Sequence, residues 1–142
     1  MGNSNCIFCN ILKVSPDLIL YEDEDIVLFK DKSPVAKIHL LCIPKRHIKN
    51  INYLTSEEIP LLLNMKKHAL EYILKNNPNL TDSNIIFGFH VPPFNVINHI
   101  HMHCIVEPYN NCFNSLINKC IMKPLDKVMD NIENNNLYKK IN

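Results

Sequence analysis

The sequence predicts an α+β domain in which a mostly antiparallel, five-stranded sheet carries one long helix and a C-terminal helix. Three observations predict it. Short β-rich runs bounded by turn residues recur along the chain, a single long stretch has helical spacing, and histidines alternate with apolar residues over 99–103. The 142 residues are 46% hydrophobic and 20% charged, which suits one globular domain over 1–142 with its own core and excludes the disordered class.

Leu18 to Tyr21 and Asp25 to Lys30 read as a hairpin around the acidic turn Glu22-Asp23-Glu24. Four adjacent acids, Glu22 to Asp25, form a solvated turn more readily than a cation site, because neighbouring carboxylates do not all converge on one ion. Ile38 to Ile43 is the third strand, closed by Pro44 and the basic corner Lys45-Arg46-His47. Thr55-Ser56-Glu57-Glu58 is a capping-box start for the long helix. Its apolar stripe is Leu61, Leu62, Met65, Ala69, Leu70, Ile73 and Leu74, and Asn76-Asn77-Pro78 ends it. Asn84 to Phe89 and Asn98 to Val106 are the fourth and fifth strands, and Pro92-Pro93 bends the connection between them away from the sheet. The core spans about residues 6–108. The asparagine-rich extension 109–142 has Leu116, Ile117, Ile121, Leu125, Val128 and Met129 as one helical face.

A formal net charge of +1, from 15 basic and 14 acidic residues, supplies no bulk field toward nucleic acid or membrane, so an anionic ligand needs a local site. No apolar run reaches the roughly 18 residues that span a bilayer, and the start has no apolar secretory core, so the expected compartment is the cytoplasm or the nucleus. Met1-Gly2 superficially resembles an acylation start, but Cys6 stands where Ser or Thr is preferred. In such a compartment Cys6-x-x-Cys9 reads as metal-binding or redox rather than as a disulfide, while Cys42, Cys104, Cys112 and Cys120 read as small hydrophobes.

Successive strand side chains point to opposite faces. His99, His101 and His103 are therefore expected to share one face, with Ile100, Met102 and Cys104 packed on the other. Such a row can ligate a metal, sense pH or attack an electrophile.

The run His99-Ile100-His101-Met102-His103-Cys104-Ile105 resembles the signature of the histidine triad superfamily. Cys6-Ile-Phe-Cys9-Asn-Ile11 and Ile43-Pro44-Lys45-Arg46-His47-Ile48 match the same family in order, and Gly88-Phe89-His90-Val91-Pro92-Pro93-Phe94 resembles the third Hint branch and the aprataxins. The resemblance implies hydrolysis or transfer of a nucleotide through a nucleotidyl-histidine. His101 would be the nucleophile and His103 the phosphate partner, and His39 would complete the imidazole cluster. It implies that His101 uses its other ring nitrogen on a backbone carbonyl.

By the same match, Asp31 takes the ribose hydroxyls beside Lys32. Phe8, Ile11, Phe29 and Leu41 form the base pocket. Where Hint proteins carry a serine before the triad, this chain has Val96, with Asn95 and Asn98 as nearby amide substitutes. Cys6, Cys9, His47 and His99 match the zinc-ligand set of several relatives, which would make His99 structural as well as a member of the row. The resemblance further implies an AMP-type purine substrate with no organic cofactor, and a homodimer formed through the long helix and an edge strand. It leaves two alternatives to a phosphoramidase. One is an aprataxin-like deadenylase of nucleic acid ends, disfavoured because Cys112 and Cys120 have no histidine partner for a zinc finger; the other is a nucleotide-binding interaction protein.

Overall fold

In the computed structural model, which describes residues 3–141, Asp23 organises the first turn. Its Oδ1 accepts the backbone N–H groups of Asp25 and Ile26 at 2.8 and 2.9 Å, and its Oδ2 accepts the Tyr21 hydroxyl at 2.9 Å. The acids therefore build a turn, and the turn joins β1 (Ile19–Glu22) to β2 (Ile26–Lys30). β3 (Ala36–Pro44) follows, and the predicted capping box of Thr55 and Glu58 opens a short 3₁₀ turn that leads into α2 (Ile59–Asn76). The earlier α1 (Ile11–Val14) is a single turn in the N-terminal segment. β4 (Ile85–His90) and β5 (Met102–Tyr109) complete the expected set of strands.

The sheet has six strands rather than five, in the order β1-β2-β3-β5-β4-β6 with every neighbouring pair antiparallel. The extra strand is β6 (Met122–Pro124), and it divides the expected C-terminal helix into α3 (Cys112–Ile121) and α4 (Leu125–Ile141). Short strands with proline give little periodic signal, so only the pairing with β4 reveals this one. Gly88 makes that pairing close. A Cβ there would stand 2.7 Å from Met122 Cγ and 2.8 Å from the Lys123 carbonyl oxygen.

Alternation along the strands separates two apolar layers. Ile26, Leu28, Leu40, Cys42, Phe87, Met102 and Cys104 pack beneath Leu62, Met65, Ala69 and Ile73 of α2, where Leu125, Val128 and Ile132 of α4 join them. On the opposite face Val27, Phe29, Leu41 and Ile43 pack with Phe8 and Ile11. The expected single apolar face over Leu116 to Met129 is thus split. The edge strand β6 carries the chain across the sheet, so α4 reinforces the main core while Leu116 stays 62% exposed and Ile117 and Ile121 turn to the other side.

The fifth strand begins at Met102 rather than Asn98, so His99 and His101 precede the regular ladder. The β4 edge, which could extend the sheet into a second chain, is taken by β6. β1 is short, with an irregular register between Ile19 and Tyr21. No described helix is long and apolar enough to cross a membrane. The Met1-Gly2 start lies outside the described residues.

Candidate functional site

Two clusters meet where the chain enters β5, and the histidine row is shared between them. His99 is fully buried and donates from Nε2 to the Pro44 carbonyl oxygen at 2.8 Å. The Nδ1 lone pair therefore faces the cysteines, 3.5 Å from Cys6 Sγ and 3.4 Å from Cys9 Sγ, and burial pushes the imidazole pKa down to about 4. His47 Nδ1 lies 3.2 Å from Cys9 Sγ, and the four donor atoms all fall within 4.8 Å of one another. Tetrahedral zinc, with bonds of about 2.0 to 2.3 Å, sets neighbouring ligand atoms roughly 3.5 Å apart. Two thiols, two imidazoles and these separations fit a tetrahedral metal. The Pro44 carbonyl is the outer partner that fixes the tautomer of His99.

The ring of Phe8 stands edge-on to both His99 and His101, with centroids at 6.0 and 5.2 Å, and marks the boundary between the clusters. On its far side the His101 Nδ1–H donates to the His99 carbonyl oxygen at 2.7 Å, which leaves the Nε2 lone pair free at the cleft. Burial holds the pKa of His101 below that of an ordinary histidine, more strongly than the His99 carbonyl raises it.

His39 and His103 come together because Leu41 pairs with His103 and His39 with Ile105, which sets the two imidazoles diagonally on one face. The Val35 N–H donates to His39 Nδ1 at 3.1 Å, so the proton of His39 sits on Nε2. That Nε2–H donates to His103 Nδ1 at 2.9 Å and lies 3.3 Å from Asp31 Oδ2. A neutral His103 then carries its own proton on Nε2, a buried atom with no partner among the described residues. Burial lowers the pKa of both rings, and that of His103 lies well below the ordinary value. Asp31 Oδ1 accepts the Ser33 N–H at 2.8 Å, which fixes the carboxylate at the rim of the same cleft.

The cleft has a volume of about 480 Å³. Its floor at one end is Phe8, Ile11, Phe29 and Leu41, all buried, with the Phe8 and Phe29 rings edge-on at 5.3 Å. Lys32 borders it beside Asp31. Asn95 and Asn98 do not enter it. They bond to each other at 3.2 Å, and Val96 and Ile97 form the lip instead.

His90 and Asn118, both outside the sequence-based site set, also belong to the cleft. The ring of His90 stacks on that of His103 with centroids 3.9 Å apart and planes 26° from parallel. His90 Nε2 donates to Asn118 Oδ1 at 3.3 Å, and Asn118 Nδ2 donates to the Asn114 carbonyl oxygen at 3.0 Å, which sets the orientation of the amide. Burial lowers the pKa of His90, partly offset by the Asn118 bond. Alternation could have found His90, since Phe87 and Phe89 face the main core. Nothing local marks Asn118, which depends on α3 crossing β4.

Over residues 5–118 the chain matches the family described as scavenger mRNA decapping enzyme C-term binding. It is 41% identical over 120 residues to adenosine 5'-monophosphoramidase HINT3 of Danio rerio, covering 82% of this chain and 73% of the relative. It is 37% identical over 110 residues to the bifunctional adenosine 5'-phosphosulfate phosphorylase/adenylylsulfatase HINT4 of Arabidopsis thaliana, covering 75% of this chain and 73% of the relative. Among solved structures, a HIT family hydrolase from Legionella pneumophila superposes with a TM-score of 0.63 at 30% identity, covering 73% of this chain and 94% of the other.

Proposed function

The chain belongs to the histidine triad family, and from that premise we propose that it is a nucleotide phosphoramidase that releases AMP from an amine-linked substrate. The observation that carries the reading is the His101 Nδ1–H bond to the His99 carbonyl, which leaves Nε2 as a neutral nucleophile at the cleft shared with Asp31 and the apolar floor. The base lies over Phe8, Ile11, Phe29 and Leu41, the ribose diol is taken by Asp31, and Lys32 flanks the anionic end. The relatives named as acting on adenosine compounds support an adenine nucleotide.

The first step forms a bond between His101 Nε2 and phosphorus and breaks the phosphorus–nitrogen bond. The electron pair goes to the bridging nitrogen, which enters protonated and departs as a neutral amine. His103 donates its Nε2–H to a phosphate oxygen as charge develops there. In the second step water attacks phosphorus, the bond to His101 breaks with its electron pair returning to the imidazole, and the water proton passes to the imidazole of His90. Asn95 and Asn98 have no part in this scheme.

Cys6, Cys9, His47 and His99 are assigned to a structural zinc ion. When bound, it would tie the N-terminal segment to the entry of β5. Bound there, it would help hold the His99 carbonyl that orients His101 and would take no part in the displacement. The β6 strand on the β4 edge favours a site complete within one chain over a dimer with a sheet continued across that edge.

Incubation with adenosine 5'-monophosphoramidate tests the reading. AMP release, with a nucleotidyl adduct on the His101 peptide detected by mass spectrometry, is expected. Equal turnover by His101→Asn would overturn it.

A further inference from the structure

The polarity of α3 is inverted. Of its 10 residues only Asn118 is buried, at 5% exposure, while Phe113 and Leu116 stay 69% and 62% exposed. A helix ordinarily buries its apolar stripe, and a buried amide loses solvation unless its hydrogen bonds are remade. The buried face of α3 is therefore built around one side chain, and that side chain reaches His90.

Both halves of the Asn118 amide are engaged. Nδ2 donates to the Asn114 carbonyl oxygen at 3.0 Å, one turn back, so Oδ1 is the atom left for His90 Nε2 at 3.3 Å. The reverse orientation would set Oδ1 against a carbonyl oxygen, two acceptors together. His90 Nε2 thus carries the proton, and a neutral imidazole keeps its lone pair on Nδ1. Among the described residues no donor reaches that atom. His103 Nε2 is the one buried polar side-chain atom there without a partner, so Nδ1 of His90 is open to water rather than sealed. The pair is held from behind, because the Val91 N–H donates to the Ile121 carbonyl oxygen at 2.9 Å and Gly88, two residues before His90, seats Met122 of β6. Stacking on His103 at 3.9 Å keeps the ring beside the imidazole assigned to the phosphate.

We infer that Asn118 is a positioning residue for hydrolysis of the nucleotidyl-histidine: by holding the His90 proton on Nε2 it keeps Nδ1 as the base that takes a proton from the attacking water. This rests on the phosphoramidase reading above. In that step the water oxygen bonds to phosphorus, the phosphorus–nitrogen bond breaks with its electron pair returning to His101 Nε2, and one water proton moves to His90 Nδ1. Formation of the adduct makes no such demand, because the leaving nitrogen enters protonated and needs no base. Asn118 therefore acts on one half-reaction only. Without it the His90 proton is free to shift to Nδ1, and the ring turns a donor toward the water.

The test follows the two half-reactions separately, by rapid quench with adenosine 5'-monophosphoramidate and mass spectrometry of the His101 peptide. In Asn118→Leu, decay of the adduct should slow by at least about tenfold while its formation stays within about threefold of wild type, so the adduct accumulates. Asn118→Asp, which retains an acceptor at the same place, should restore decay. His90→Gln should show the same slow decay with α3 untouched. Adding Asn118→Leu to it should slow decay no further, since the asparagine acts through the histidine. A purely structural role predicts instead that formation and decay fall together, or that the losses of the two variants add. Either result, or unchanged decay in His90→Gln, overturns the positioning role and leaves the phosphoramidase reading in place. A wild-type chain that releases no AMP removes both.

Discussion

His103 Nδ1 lies 2.9 Å from His39 Nε2, and the Val35 N–H on the far nitrogen of His39 decides which of the two donates. One backbone amide thereby sets a chain of tautomers that ends in an N–H at His103 Nε2, on a ring that neighbours His101.

Replacing His39 with Leu removes the donor to His103 Nδ1 and lets the His103 proton move to that atom, so that Nε2 would face the phosphate as a lone pair. Steady-state kinetics on adenosine 5'-monophosphoramidate should show kcat reduced by roughly 10²-fold with KM changed much less, because the lost interaction grows with charge on the phosphate. A change confined to KM would contradict this role.

His101→Ala should lower kcat by at least about a thousandfold and abolish the nucleotidyl adduct, since no other imidazole has both a fixed Nδ1–H and a free Nε2 at the cleft. Calorimetry should show AMP still bound, because the apolar floor and Asp31 are untouched.

Cys9→Ser should lower zinc content in protein purified without chelator and reduce the Tm by about 5 to 10 °C. The effect on kcat should be smaller than that of His101→Ala, because the cysteine acts through the position of His99. Stoichiometric zinc retained in the variant at an unchanged Tm would count against the Cys6, Cys9, His47 and His99 assignment.

Burial lowers the pKa values of His39, His90 and His103, so in the interval between their folded values and about 6.5 the unfolded chain binds more protons than the folded one. Stability therefore rises with pH across that interval. Urea unfolding should show it falling as pH drops below about 6.5, with a shallower slope in His90→Gln.

Gly88→Ala places a methyl group against Met122 and the Lys123 carbonyl and should cost about 1 to 3 kcal/mol in urea unfolding. Met122→Ala in the same chain should recover part of that loss, because the side chain is the yielding half of the contact.

Much of the architecture was legible from local pattern. Glu58 capping Thr55, the Leu62 to Ile73 stripe and the alternation of Val27 and Phe29 with Ile26 and Leu28 each depend on residues within a few positions of one another. The Cys6-x-x-Cys9 pair and the row from His99 to His103 were equally visible, as was the apolar set Phe8, Ile11, Phe29 and Leu41.

Spacing alone could not divide the row. Period-two alternation predicts one face for three histidines, but the ladder begins only at Met102, and what His99 and His101 face depends on Pro44, Phe8 and the cysteines, all remote in sequence. The sequence by itself determined the element types and the chemistry available, because periodicity, capping and side-chain donors are local properties. Only the tertiary structure decided that β6 pairs with β4, that α3 and α4 lie on opposite faces, and that His90 and Asn118 join the imidazoles. Those outcomes come from long-range strand pairing and packing, in which Gly88 admits Met122 and a three-residue strand carries the chain around the sheet edge.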